Sequence, residues 1–120
     1  MLYLDSHGDS SCINEDIQNH YSVECDFISI DEFVKSNKLN RVDYIKLDVE
    51  GAELNALKGS IETISKFKPK LAISLYHKWE DIFHIPLFLN EICENYKFYI
   101  GHHCAGLHET ILYAKHIHYK

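Results

Sequence analysis

Two apolar runs, Val42 to Val49 and Leu71 to Tyr76, bracket a segment whose apolar residues recur at steps of three and four. Val42, Tyr44, Ile45, Leu47 and Val49 are nearly continuous, the pattern of a parallel strand covered on both faces. Leu54, Leu57, Ile61, Ile64 and Phe67 follow at the helical period. Gly59 and Ser60 interrupt them, so one short helix is expected to end there and a second to begin. Pro69 bars continuation. Strand, helix pair and strand in this order form a βαβ unit, whose crossover is almost always right-handed with parallel strands.

The flanking segments extend this unit. Short apolar pieces at residues 2–4 and 12–13 surround the polar tract from Asp5 to Ser11, which predicts a loop or a loose hairpin. Residues 14–22 are polar and weakly patterned. Val23 to Ile30 is rich in β-branched and aromatic residues and reads as a strand, with Asp31 placed as the N-cap of a helix behind it. Pro86 is expected to open a helix that carries Leu89, Ile92, Cys93 and Tyr96 on one face. Lys97 to His102 and Glu109 to Ala114 read as two more strands. Their short link requires an antiparallel pair, because a parallel neighbour needs a crossover of about a dozen residues. The expected fold is α/β, with a mostly parallel sheet and an antiparallel C-terminal strand.

A chain of 120 residues bounds the answer to one domain. A net charge of −6 argues against a nucleic-acid partner, because phosphate binding needs a basic surface. No apolar run reaches the roughly 18 residues of a transmembrane helix, and the start lacks a signal-peptide pattern. No membrane association and a cytoplasmic location are therefore expected. The four cysteines form no CxxC pair and are expected to stay reduced.

The stretch VDYIKLDVEGAELNALKGS, Val42 to Ser60, followed by KPKLAISLYH, Lys68 to His77, resembles the FkbM-type methyltransferases. Those proteins carry a strand ending in a K-hydrophobic-D-hydrophobic-E-G-A-E signature. A helix closing in a K-G-A/S turn and a K-P segment leading into a strand come next. The terminal FYIGHH…ETILYA pattern, Phe98 to Ala114, is similar to the end of the same domain. The resemblance spans residues 23–114, with 1–22 as an irregular lead-in to a single, incomplete domain. It implies a partial Rossmann-like methyltransferase sheet and S-adenosylmethionine as cofactor. In that fold a Gly-rich loop after the first strand holds the cofactor, because glycines let backbone approach it closely. The five glycines here, Gly8, Gly51, Gly59, Gly101 and Gly106, form no such loop. A truncated domain is therefore expected, with an exposed sheet edge covered by a second copy or by a separate N-terminal partner.

Asp48 and Glu50 stand at the carboxyl end of the first strand, where open α/β sheets bind ligands. Two acids there suit general-base work on a substrate hydroxyl, or cation binding. The competing expectation is that Asp48 caps the following helix and Glu50 serves its dipole. His77 closes the second strand and shares that edge, as a base or as a loop histidine bonded to backbone. Asp48 and Gly51 are placed against the cofactor, and His103 and Trp79 against a small-molecule substrate. Lys46 is expected in a structural ion pair and Glu53 as a first-turn helix acid. His102, His103, Cys104 and His108 match no compact zinc spacing, so no metal site is expected.

The resulting expectation is an O-methyltransferase acting on a sugar or secondary metabolite. The alternative is a non-catalytic subunit that assembles through its sheet edge.

Overall fold

The computed structural model describes residues 2–7, 10–14, 22–106 and 108–118, with side chains described from residue 26 on. In chain order the elements are β1 (Leu2–His7), β2 (Ser10–Asn14), β3 (Ser22–Cys25), α1 (Ile30–Ser36) and β4 (Tyr44–Leu47). Then come α2 (Glu53–Lys58), α3 (Ile61–Phe67), β5 (Lys70–Ser74), α4 (Asp81–Ile92), β6 (Tyr96–His102) and β7 (Thr110–His116).

The N-terminal strands form a small antiparallel sheet of order β2-β1-β3. The segment around Asp5 is thus a hairpin, with Leu4 opposite Ile13. Val23 to Ile30 is not one strand: β3 ends at Cys25 and the helical turn begins at Ile30.

The second sheet has the order β4-β5-β7-β6. β4 and β5 are parallel, with Ile45 beside Leu71 and Leu47 beside Ile73. β7 runs antiparallel to both β5 and β6, so β4, β5 and β6 share one direction and β7 reverses it. This is the mostly parallel sheet with an antiparallel last strand that the loop lengths require. Leu57, Ile64, Leu71, Ile73, Ile85, Leu89 and Leu112 fill the core and are almost fully buried. Each contributes about 1.5–3 kcal/mol relative to an exposed side chain.

Three local expectations change. β4 is not covered on both faces: Ile45 and Leu47 are buried, while Tyr44 is 55% exposed and Lys46 is exposed. As the edge strand of this sheet, β4 alternates like a half-solvated one. Lys46 forms no ion pair with another described residue.

Asp31 does not cap its own helix. Ser29 does, accepting the Glu32 N–H at 3.1 Å. Asp31 caps α3 across space instead, accepting the N–H of Glu62 at 3.1 Å and of Thr63 at 2.8 Å. The Thr63 hydroxyl also donates to it, at 2.6 Å. Ser60, the N-cap residue of α3, makes no side-chain cap bond; its hydroxyl turns back and donates to the Leu57 carbonyl at 2.8 Å.

Pro86 lies inside α4 rather than at its start. The helix opens a turn earlier, where the Glu80 backbone carbonyl accepts the N–H of Phe83 and of His84. The proline ring removes only the bond to the Ile82 carbonyl, on a half-exposed residue that water reaches. No helix among the described residues is long and apolar enough to cross a membrane.

Candidate functional site

The parallel pairing of β4 with β5 brings their carboxyl ends together. Asp48 follows β4, and Tyr76 and His77 follow β5 by two and three residues. The chain then reverses from β4 into α2 through two left-handed residues, Glu50 at φ 50° and Gly51 at φ 95°. Glycine adopts that conformation freely, while at Glu50 it costs energy that the surroundings must offset. The reversal folds Glu50 back toward β5.

Five side chains meet at this edge. His77 Nδ1 lies 2.6 Å from Glu53 Oε1. Its Nε2 lies 3.3 Å from Glu50 Oε2 and 3.7 Å from Asp48 Oδ1. The Tyr76 hydroxyl donates to Asp48 Oδ1 at 3.0 Å. The His77 side chain is only 9% exposed, whereas Asp48 and Glu50 are 40% and 35% exposed. The imidazole therefore forms the floor of the site, and the two acids form its rim.

Glu53 is the residue that sequence reasoning missed. It is the first residue of α2, as expected of a first-turn acid, but it is fully buried. The Val49 N–H donates to its Oε1 at 3.1 Å. An ionised carboxylate can only accept, so His77 Nδ1 carries the hydrogen, and in the neutral ring Nε2 holds a lone pair. Glu53 thus fixes both the tautomer and the direction of the ring. The one available signal was its place, opposite a histidine at the end of the next parallel strand.

The helix-cap expectation for Asp48 fails. The α2 N-cap is Ala52, which has no side-chain bond, and Asp48 instead holds Tyr76. Nor is His77 a loop histidine bonded to backbone, since Glu53 is its partner. Burial pushes the Tyr76 hydroxyl's pKa up, and its bond to Asp48 and the charges of Asp48 and Glu50 add to that, so the phenol stays a neutral donor.

A cavity of about 190 Å³ adjoins the edge, lined by Gly51, Leu54, Lys78, Asp81 and His84 among others. Asp81 is buried there, with Oδ2 unpartnered. Burial raises its pKa, the negative charge of Glu53 raises it further, and Lys78 partly opposes both.

The two expected substrate contacts make none of these bonds. His103 bonds the Tyr113 hydroxyl at 2.8 Å on the β6–β7 hairpin, and Trp79 is 76% exposed. From that hairpin it is His108 that reaches the site, its ring edge-on to Tyr76 at 5.9 Å. Among the described residues, the donors that converge as a metal could use them are Asp48, Glu50 and His77, not the His102–His108 cluster.

Carboxylates at the strand ends fit the hydroxyls and ammonium group of S-adenosylmethionine, which donate hydrogen bonds. The adjoining cavity is smaller than the roughly 300 Å³ minimum typical of a small-molecule pocket. By itself the cavity is therefore too small to enclose such a molecule.

A family model for the methyltransferase FkbM domain matches residues 4–100, most of the chain. The crystal structure of a methyltransferase FkbM from Methylobacillus flagellatus KT is similar at 42% identity and a TM-score of 0.58. That match covers 59% of this chain and 19% of the other, so the matched part spans about a fifth of that protein's length. No curated protein matches.

Proposed function

The chain belongs to the FkbM methyltransferase family, and on that premise we propose that it serves the transfer of a methyl group from S-adenosylmethionine to a hydroxyl of a sugar or secondary metabolite. The observation that carries this reading is the convergence of Asp48, Glu50 and His77 at the carboxyl ends of two parallel strands. Open α/β sheets bind their ligands at that edge.

The bound cofactor supplies an electrophilic methyl group on a sulfonium. This chain's residues supply position and a proton acceptor. Glu53 holds the imidazole so that Nε2 faces the rim. Nε2 takes the proton of the acceptor hydroxyl as the oxygen attacks. Glu50 steers that hydroxyl. Asp48 has one oxygen fixed by Tyr76 and offers the other to a ribose hydroxyl. Gly51 keeps the turn beside it free of a side chain. Holding the hydroxyl in line with the methyl group supplies much of the rate. Trp79 and His103 are proposed as outer contacts for the acceptor.

The test is formation of S-adenosylhomocysteine from S-adenosylmethionine over a panel of sugars and hydroxylated metabolites. His77→Ala should lower kcat by about 10²–10⁴-fold. Turnover that the variant leaves unchanged would remove His77 from the reaction.

A second reading rests on β4, whose only partner among the described strands is β5. An edge strand with one free side is a template for pairing. We propose that a second copy or a separate N-terminal partner pairs there. A monomer by light scattering at all concentrations would exclude the second copy.

A further inference from the structure

We propose that Asp48, Glu50 and His77 form a binding site for a divalent first-row transition-metal ion. Three potential ligand atoms converge: His77 Nε2, with Glu50 Oε2 at 3.3 Å and Asp48 Oδ1 at 3.7 Å from it. One donor atom from each residue can be chosen so that all lie within 4.8 Å of one another. Among the described residues nothing donates to Nε2, a buried atom without a hydrogen-bond partner on a side chain only 9% exposed. Two carboxylates facing Nε2 make a net negative opening that a bound cation would neutralise.

The spacing suits an ion. Donors around a cation about 2.1 Å away stand about 3.0–3.4 Å apart in octahedral or tetrahedral arrangement. Measured from Nε2, the Glu50 oxygen already meets that spacing at 3.3 Å, and the Asp48 oxygen exceeds it by a few tenths of an ångström at 3.7 Å. The two acids lie within 4.8 Å of each other and close on the ion by side-chain rotation. Both acids sit on the exposed rim and can adjust, while the imidazole is fixed.

The surrounding bonds are those that metal sites use. A ligating histidine usually donates its other N–H to a carboxylate, which orients the ring and raises its basicity. Glu53 does this to Nδ1 at 2.6 Å. Tyr76 orients Asp48 in the same way at 3.0 Å. One imidazole and two carboxylates form a mixed N,O set, which suits manganese, cobalt or zinc better than the all-oxygen preference of magnesium or calcium. The rim leaves further coordination positions open toward solvent.

For its role, though not for its existence, the site rests on the methyl-transfer reading. With an ion bound, Nε2 no longer takes a proton. The acceptor hydroxyl instead binds the ion, whose charge lowers its pKa, and releases its proton to water.

The test is titration of the full chain with MnCl2, followed by the loss of the free Mn²⁺ electron paramagnetic resonance signal, with no methyl donor present. One bound equivalent is expected. His77→Ala and the rim variant Asp48→Asn should each abolish it. Glu53→Gln should weaken it by about 10–100-fold. His102→Ala/His103→Ala and His116→Ala/His118→Ala should leave it intact. Circular dichroism checks that each variant is folded. Absence of binding would overturn the site, as would binding that survives in folded Asp48→Asn. Because no cofactor enters the measurement, its failure leaves S-adenosylmethionine binding to be judged separately.

Discussion

Glu53 and His77 are joined side chain to side chain, Oε1 to Nδ1 at 2.6 Å across 24 residues of sequence. The same oxygen accepts the Val49 N–H. One buried carboxylate therefore locks the turn after β4 to the end of β5. Glu53→Ala should cost about 2–4 kcal/mol, because two buried donors lose their acceptor and a void remains. Glu53→Gln keeps the size and an accepting oxygen, so it should cost less than half as much. Urea denaturation of both variants measures the difference.

Asp31 ties α1 to α3 through three hydrogen bonds to Glu62 and Thr63. Removing such a cap costs about 1–2 kcal/mol. Asp31→Ala should reach the top of that range, since α3 has no side-chain cap of its own. Thr63→Val should lose only the hydroxyl bond and cost less. Thermal melts of the two variants rank them.

Gly59 lies against the Ser29 side chain. A Cβ at Gly59 would stand 2.9 Å from Ser29 Cβ, although its backbone is in an ordinary conformation. Gly59→Ala should therefore destabilise by about 1–3 kcal/mol through overlap. Ser29→Gly in the same chain should recover part of that loss. A double-mutant cycle in urea reads the coupling, and purely additive losses would exclude the clash.

Asp81 gives stability a pH dependence. Its folded pKa is raised above the ordinary 3.8 by burial first and by the charge of Glu53 second. Between the ordinary and the raised value the native chain binds more protons than the unfolded chain. Stability therefore falls as pH rises through that window. Asp81→Asn removes the charge. Its urea midpoint, relative to the parent, should improve as pH rises through the window and stay level above it. A difference that does not change with pH would contradict the assignment.

Much of the fold was legible because it rests on short-range rules. The apolar runs ending at Val49 and Tyr76, with helical spacing between them, dictate the parallel pair β4 and β5. The short link between His102 and Thr110 dictates the reversed β7. What local patterns misjudge is who covers whom. Val42 to Val49 is apolar enough for a central strand, yet Tyr44 and Lys46 face outward because β4 is an edge. Asp31 has the type and place of an N-cap, but its partner is 31 and 32 residues away.

The site was legible by the same logic and failed at the same point. Asp48, Glu50 and His77 lie at strand ends, and parallel pairing forces such ends together. Glu53 escaped because a first-turn acid looks alike whether exposed or buried. Trp79 was placed beside Tyr76 and Phe83 as pocket lining and His103 as a contact facing the crevice. Where a hairpin or loop points is not set by such local neighbours, and Trp79 is exposed while His103 bonds Tyr113.

The most direct measurement is a calorimetric titration of the chain with S-adenosylmethionine, run beside the Asp48→Asn variant. Saturable one-to-one binding is predicted. The variant should weaken it by about 10–100-fold, which corresponds to one lost hydrogen bond to a charged group. No heat of binding at concentrations well above micromolar, or equal affinity in the variant, would contradict the placement of the cofactor at this edge.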